Sequence, residues 1–493
     1  PMNTQSTQST QTLGHGSYKA VTPALLSALR EVVGEVNVKT DEATIQEFGK
    51  DWTEDLYSAP EVGVFPGSTD EVSAVLRLAS EHRVPVVARG GGTGLSGGAI
   101  PLRGGIVLST KRMAEILEID HANSVAVVQP GVITQVLQEA VEAEGLFYPP
   151  DPASRGSCAI GGNVAECAGG PRCVKYGITR DYVLGLEAVL ASGEVMRLGG
   201  KLLKDVTGYD LVRLIVGSEG TLAIVTEVTL KLLPLPTETR TLLAPFESLD
   251  AAAAAVAGIF QAGIIPTTCE LLGQRALHAA EAHLGKQFPA EIHDAEASLL
   301  LEVDGNDSDV VEAEAERLGE LCLDKLGATD LLLAGTPERA RELWAIRRAM
   351  GEAVKSLGDY REYDVSVPRA RIPDAFRAID AVLEPLGVRA LSYGHAGDGN
   401  LHVNVLRDEL SQERWEEVLA AAGPGIISRI VALGGVISGE HGIGIIQREL
   451  LPLQFGEAEL RLMRGIKQVF DPQGILNPGK LIPDAPGTDA PSA

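Results

Sequence analysis

Apolar residues recur at helical spacing in DEVSAVLRLASEHRV (70–84) and then run without interruption through PVVA (85–88), so a helix there feeds a strand. IVLS (106–109) and VAVVQ (125–129) predict two more strands, a helix follows near 132–144, and TLAIVTEVTLKLLP (221–234) predicts a long strand. With a short helical lead-in over 22–55, this alternation predicts an α/β or α+β domain over roughly 55–235. The proline-punctuated LPLPTETRT (233–241) reads as its exit. Beyond it AAAAAVAGIFQAG predicts a helix, SLLLEVDG a strand, VVEAEAERLGELCLDKLG a helix and TDLLLAG a strand. Helix 337–357, strand YDVSV (363–367), helix 371–384 and strand RALSYG (389–394) complete a second domain, a sheet covered by helices over 236–440. A last segment, 441–483, carries a helix at 457–470 and is expected to pack back on the first domain.

SYGHAGDGNLHVNV (392–405) sets two histidines seven residues apart around a glycine-rich turn. After the turn Leu401, Val403 and Val405 alternate with His402 and Asn404, the period of a half-buried strand, so His402 and Asn404 share a face and His395 lies just across the turn. Such a pair reads either as satisfied core histidines or as part of a divalent-metal or proton-transfer site. SGEHGIG (438–444) adds Glu440 and His441 in a loop whose glycines allow close packing, and a His-His-Glu set with room for water or substrate has the composition of a catalytic zinc site.

Composition narrows the field. The chain has 493 residues, enough for two or three domains, and 42 basic against 67 acidic residues give a net charge of −25, which disfavours nucleic acid and anionic membrane as partners. No apolar run of membrane-spanning length and no signal pattern occurs, so a cytoplasmic protein is expected, with peripheral membrane contact only through a partner. The five cysteines form no C-x-x-C pair, which argues against a disulfide framework and an iron–sulfur cluster. The polar stretch 1–21 and the Pro- and Ala-rich tail 484–493 read as disordered ends.

RGGGTGLSGG places Gly92, Gly94 and Gly97 in the spacing of a dinucleotide fingerprint, but a strand rather than a helix follows, so a Rossmann reading fails. A loop of this kind holds phosphates by its own backbone N–H groups. Two more glycine-rich stretches, 149–177 and 217–228, point to an extended cofactor held by backbone.

PVVARGGGTGLSGGAIP, IGGNVAECAGG, VTGYDLVRLIVGSEGTLAIVTEVTLKLLP, GHAGDGNLHVNV, SGEHGIG and FDPQGILNPGK together resemble the FAD-linked oxidases of the vanillyl-alcohol oxidase and p-cresol methylhydroxylase superfamily, within it the D-2-hydroxy acid dehydrogenase group, over about residues 22–483. The resemblance implies an α+β fold: a two-subdomain FAD-binding domain of the p-cresol methylhydroxylase type (22–235), a ferredoxin-like α+β cap over the substrate (236–440), and the short C-terminal segment. It implies FAD contacts at Arg89, Gly90, Gly91, Gly92, Thr93, Gly94 and Ser96, with Asp151, Ser154, Gly161, Gly162, Asn163, Gly177, Glu219, Gly220, Ile224 and Asn477 lining the cofactor. Some relatives bond flavin covalently through a histidine in the first loop. Thr93 stands at that place, so noncovalent FAD is expected.

By the same resemblance His395, His402 and Glu440 are ligands of a divalent metal, zinc before manganese or iron, and Arg347 binds the substrate carboxylate. His441 is the candidate general base, Asn404 a candidate for orienting substrate, and Arg348 is expected to point elsewhere. The expected reaction is oxidation of a D-2-hydroxy acid, with electrons leaving to an external acceptor: a partner subunit, an electron-transfer flavoprotein or a quinone. Rival readings are a flavoprotein subunit that mainly transfers electrons and an aldehyde- or sugar-oxidising flavoenzyme. Members acting on D-2-hydroxyglutarate carry a lysine before the Tyr-Asp pair of REYDVSVP, where this chain has Glu362, and a threonine where it has Gly351. An anion there repels a second carboxylate, so D-lactate or glycolate is favoured, with D-2-hydroxyglutarate as the alternative.

Overall fold

A computed structural model describes residues 18–484, and most of the two stretches expected to be disordered lies outside them. Residues at the end of the first stretch are tied down: the Tyr18 hydroxyl donates to Gly474 O at 2.8 Å and the Val21 amide to Glu61 at 2.7 Å.

The N-terminal half contains two sheets. In the first, Val62–Val64, Ile106–Ser109 and Val86–Arg89 run parallel, and Val38–Lys39 from the lead-in adds an antiparallel edge to what sequence reading expected to be helical only. Helices Pro23–Val33 and Thr69–His82 cover it, burying Leu25, Leu29, Val72, Val75 and Leu76. The second is antiparallel, in the order Ile116–Asp120, Val125–Val128, Ile224–Lys231, Val183–Val189, Val195–Gly199. No helix opens after the first glycine loop, as its sequence predicts; the chain passes through turns into Ile106–Ser109.

Beyond residue 237 seven strands form one antiparallel sheet in the order Leu332–Leu333, Glu238–Phe246, Ala297–Gly305, Thr268–Gly273, Ala390–Gly394, Asn400–Leu406, Tyr360–Ser366. Leu242, Leu271, Leu299, Leu301 and Val403 meet helices Leu249–Gln261, Ser308–Asp324, Ile372–Leu383 and Gln412–Ala432 on one face. Leu243, Leu272, Leu300 and Leu391 meet Gln274–Leu284 and Pro337–Ser356 on the other. Coverage on both faces corrects the half-buried reading of Asn400–Leu406, which is buried throughout. His402 and Asn404 still share a face, but that face looks into protein and cavity rather than solvent.

The chain then returns to where it began. Asn477 N donates to Val86 O at 2.8 Å and Leu476 bridges Val86 in parallel, so the C-terminal segment adds to the first sheet's end. No helix among the described residues is long and apolar enough to cross a membrane.

Candidate active site

A cavity of about 700 Å³ lies between the two sheets of the N-terminal half and the seven-stranded sheet. Arg89, Gly90, Gly91, Gly92, Thr93 and Gly94 form one wall. A side chain at Gly91 would collide with the Ser157 carbonyl, which is why the loop seats so closely on the second glycine-rich stretch. Within that stretch Ile160–Glu166 is a helix despite the glycines in its first turn. Tertiary packing overrides propensity here: Gly161 N donates to Pro130 O at 2.7 Å and leaves no room for a Cβ. Asp151, Ser154, Gly162, Asn163, Glu219, Gly220, Ile224 and Asn477 also border the cavity, whereas Ser96 and Gly177 do not. A Cβ at Gly162 would project into open space, and buried Glu166 Oε2 on the wall has no partner. The wall thus offers backbone and an unsatisfied polar atom to an extended ligand, which fits a flavin nucleotide.

At the cavity's other end the seven-stranded sheet delivers the chemistry-bearing side chains. His395 Nε2 lies 3.2 Å and His402 Nε2 3.4 Å from the same oxygen, Glu440 Oε1. His441 stacks on His402, centroids 5.2 Å apart, with Nε2 3.9 Å from that oxygen. Three donor atoms of His395, His402 and Glu440 lie within 4.8 Å of one another, a nitrogen, nitrogen and carboxylate set suited to a divalent cation.

Three carboxylates that sequence reading gave no such part organise this cluster. Glu270, fully buried, accepts from Arg347 Nε at 2.6 Å and has both oxygens, 2.8 and 2.9 Å, on His395 Nδ1. Asp364 Oδ2 accepts from the backbone amides of Gly439, Glu440 and His441 at 3.0, 2.9 and 2.8 Å, fixing the loop that bears the last two. Glu362 Oε1 is 3.0 Å from His402 Nδ1. Glu270 had one legible signal, a single charge in the apolar TTCELLG, because a carboxylate in a buried strand needs a partner. Burial disfavours ionisation of Glu440, but His395 and then His402 and His441 outweigh it and hold its carboxyl far below the usual range. Burial opposes a charged His395 ring as well, and Glu270 and Glu440 raise its pKa well above the ordinary value regardless. At His441 Asp364, Glu362 and Glu440 likewise outweigh burial.

Arg347 lines the cavity beneath the plane of Tyr393, 5.0 Å from the ring centroid. Arg348 lines it too, contrary to expectation, because the cavity wraps far enough around Pro337–Ser356 to take in Trp344, Arg347, Arg348, Gly351, Glu352 and Lys355. Asn404 is not brought to the wall: it is 1% exposed, its Nδ2 donates to Leu391 O at 3.5 Å, and its Oδ1 has no partner among the described residues.

Residues 60–199 match the FAD binding domain family and residues 235–481 the FAD linked oxidases, C-terminal domain. The chain is 44% identical to the glycolate oxidase subunit GlcD of Bacillus subtilis, over 94% of this chain and 97% of that protein. It is 38% identical to a D-lactate dehydrogenase of Anaerostipes hadrus (94% and 98%) and 35% identical to a D-2-hydroxyglutarate dehydrogenase of Stutzerimonas stutzeri (93% and 99%). The fold is also that of p-cresol methylhydroxylase, TM-score 0.77 at 18% identity over 94% of this chain and 98% of that one. A glycine-lined cavity, an FAD-binding half and a C-terminal half that both match their family models make the chain a member of the FAD-linked oxidase family, with a p-cresol methylhydroxylase-type FAD-binding fold.

Proposed function

We propose that the protein oxidises a small D-2-hydroxy acid, D-lactate or glycolate, to the 2-oxo acid, using noncovalent FAD and a divalent cation. The observation that carries this reading is the convergence of His395 Nε2 and His402 Nε2 on Glu440 Oε1 beside the glycine-lined cavity. Relatives of this chain are named for glycolate, D-lactate and D-2-hydroxyglutarate oxidation.

Oxidation at the carbinol carbon removes the hydroxyl proton and a hydride. Flavin bound along the glycine wall supplies a two-electron acceptor, and a cation held by His395, His402 and Glu440, zinc before manganese or iron, supplies a Lewis acid. Arg347 binds the substrate carboxylate with guanidinium N–H groups that its Nε contact to Glu270 does not use, and so orients the carbinol carbon. His441 takes the hydroxyl proton at Nε2, with its backbone held by Asp364. Burial of His395 and His402 limits the access of bulk water to the cluster. The electrons then pass to an acceptor outside this chain, a partner subunit, an electron-transfer flavoprotein or a quinone.

Glu362 borders the cavity, and no lysine or arginine among the described residues pairs with it, which disfavours a second substrate carboxylate. Arg348 on the same wall favours a second reading, a D-2-hydroxy dicarboxylate such as D-2-hydroxyglutarate. Anaerobic bleaching of the flavin against a panel of D- and L-2-hydroxy acids tests the activity, and steady-state assays with a dye acceptor separate the two readings. Bleaching by D-lactate or glycolate is expected; a higher kcat/KM for D-2-hydroxyglutarate than for both selects the second reading, and no bleaching by any hydroxy acid overturns both.

A further inference from the structure

Glu362 sits in a crowd of like charge. Glu270, Glu362, Asp364, Asp398 and Glu440 gather around the imidazoles of His395, His402 and His441, while Arg347 is paired to Glu270. Glu270 has Arg347, and Asp364 has backbone amides. Glu362 has His402 as its ion partner. A carboxylate with 18% side-chain exposure and no lysine or arginine is costly to keep ionised unless other positive charge is near.

The two ligand histidines show what Glu362 does. Each turns its Nε2 toward Glu440 Oε1 and its Nδ1 toward a different carboxylate, Glu270 for His395 and Glu362 for His402. A carboxylate beside Nδ1 holds the proton there, which leaves the lone pair on Nε2 and makes that nitrogen the better donor to a cation. The two arrangements differ in tightness. Glu270 grips His395 Nδ1 with both oxygens, whereas His402 Nδ1 lies 3.0 Å from Glu362 without hydrogen-bond alignment.

We propose that Glu362 is a positioning residue for the cation centre: it orients His402 through Nδ1, as Glu270 orients His395, and its charge tightens cation binding at His395, His402 and Glu440. This rests on the cation reading of the preceding section. Because Glu362 belongs to the adjacent cavity wall, the same carboxylate that strengthens the centre also screens substrates by charge.

The test uses the flavin-loaded protein, stripped of metal with a chelator and titrated with Zn²⁺ alone against a chromogenic competitor. Wild type is expected to take up one Zn²⁺ per chain, and Glu362→Gln to bind it about 10- to 100-fold more weakly at unchanged flavin content. Should Glu362→Gln fail to fold, Glu362→Asp replaces it, keeping the charge on a shorter arm, with weaker binding expected there also. Wild-type uptake of one Zn²⁺ with equal affinity in the variant overturns the positioning role and leaves the cation reading standing. No stoichiometric uptake by wild type overturns the cation reading and this inference with it.

Discussion

Ser96 and Gly444 touch across the interface between the FAD-binding half and the loop that bears Glu440 and His441. Ser96 O accepts from Ile445 N at 2.9 Å, and Gly444, at φ +50°, has no room for a side chain against that carbonyl. Glu219, from the same half, accepts from the amides of Ile443 and Gly444, each at 2.7 Å. The loop bearing Glu440 and His441 is therefore held from the cofactor side as well as by Asp364. Gly444→Ala is expected to cost about 1–3 kcal/mol and to lower kcat by displacing His441. Thermal melting and steady-state rates check it, and a variant with wild-type melting and turnover contradicts the tight seating.

Replacing His441 removes the proposed base without touching the glycine wall. His441→Asn is expected to slow flavin reduction by about 10²- to 10⁴-fold with flavin content unchanged. Stopped-flow reduction under anaerobic conditions measures it; a rate within a few-fold of wild type puts the base elsewhere.

Thr93 on the cavity wall offers no imidazole for a bond to flavin. Acid precipitation is expected to release all yellow colour to the supernatant, and colour retained in the pellet refutes noncovalent attachment.

Glu54 gives a pH dependence with a definite sign. Burial is the largest effect on it, only partly offset by the Tyr360 hydroxyl, and its pKa rises from 4.5 to about 7. The folded state therefore holds a proton that the unfolded chain has released between those values, and the stability contributed by this group falls as pH rises from 4.5 to about 7. Glu54→Gln is expected to melt higher than wild type at pH 8 and to lose that advantage at pH 5. Equal melting differences at both pH values count against a buried, protonated Glu54.

Where period and punctuation agree, the elements were legible: the helix near 70–84 and the strand before the glycine loop appear as Thr69–His82 and Val86–Arg89. The hairpin Val183–Val189 and Val195–Gly199 was not read, since its edge strand alternates between exposed and half-exposed positions and lacks a buried face. His395, His402 and Glu440 were readable because histidines beside glycine turns are chemically conspicuous, and the structure does bring them together. Glu270 and Asp364 were not, because their partners lie 125 and 77 residues away and no local pattern announces them.

The parallel bridge of Leu476 to Val86 has a consequence for synthesis on the ribosome. The cofactor-binding half is sealed by residues that emerge only after the entire seven-stranded sheet, and Asn477 Nδ2 donates hydrogen bonds to Gly98 O and Glu219 O at 2.9 and 2.8 Å. A nascent chain halted near residue 235 lacks those bonds and carries its flavin wall unfinished. Flavin bound to so early an intermediate would meet a wall short of the Asn477 contacts to Gly98 and Glu219, which the chain completes only at its C-terminal end.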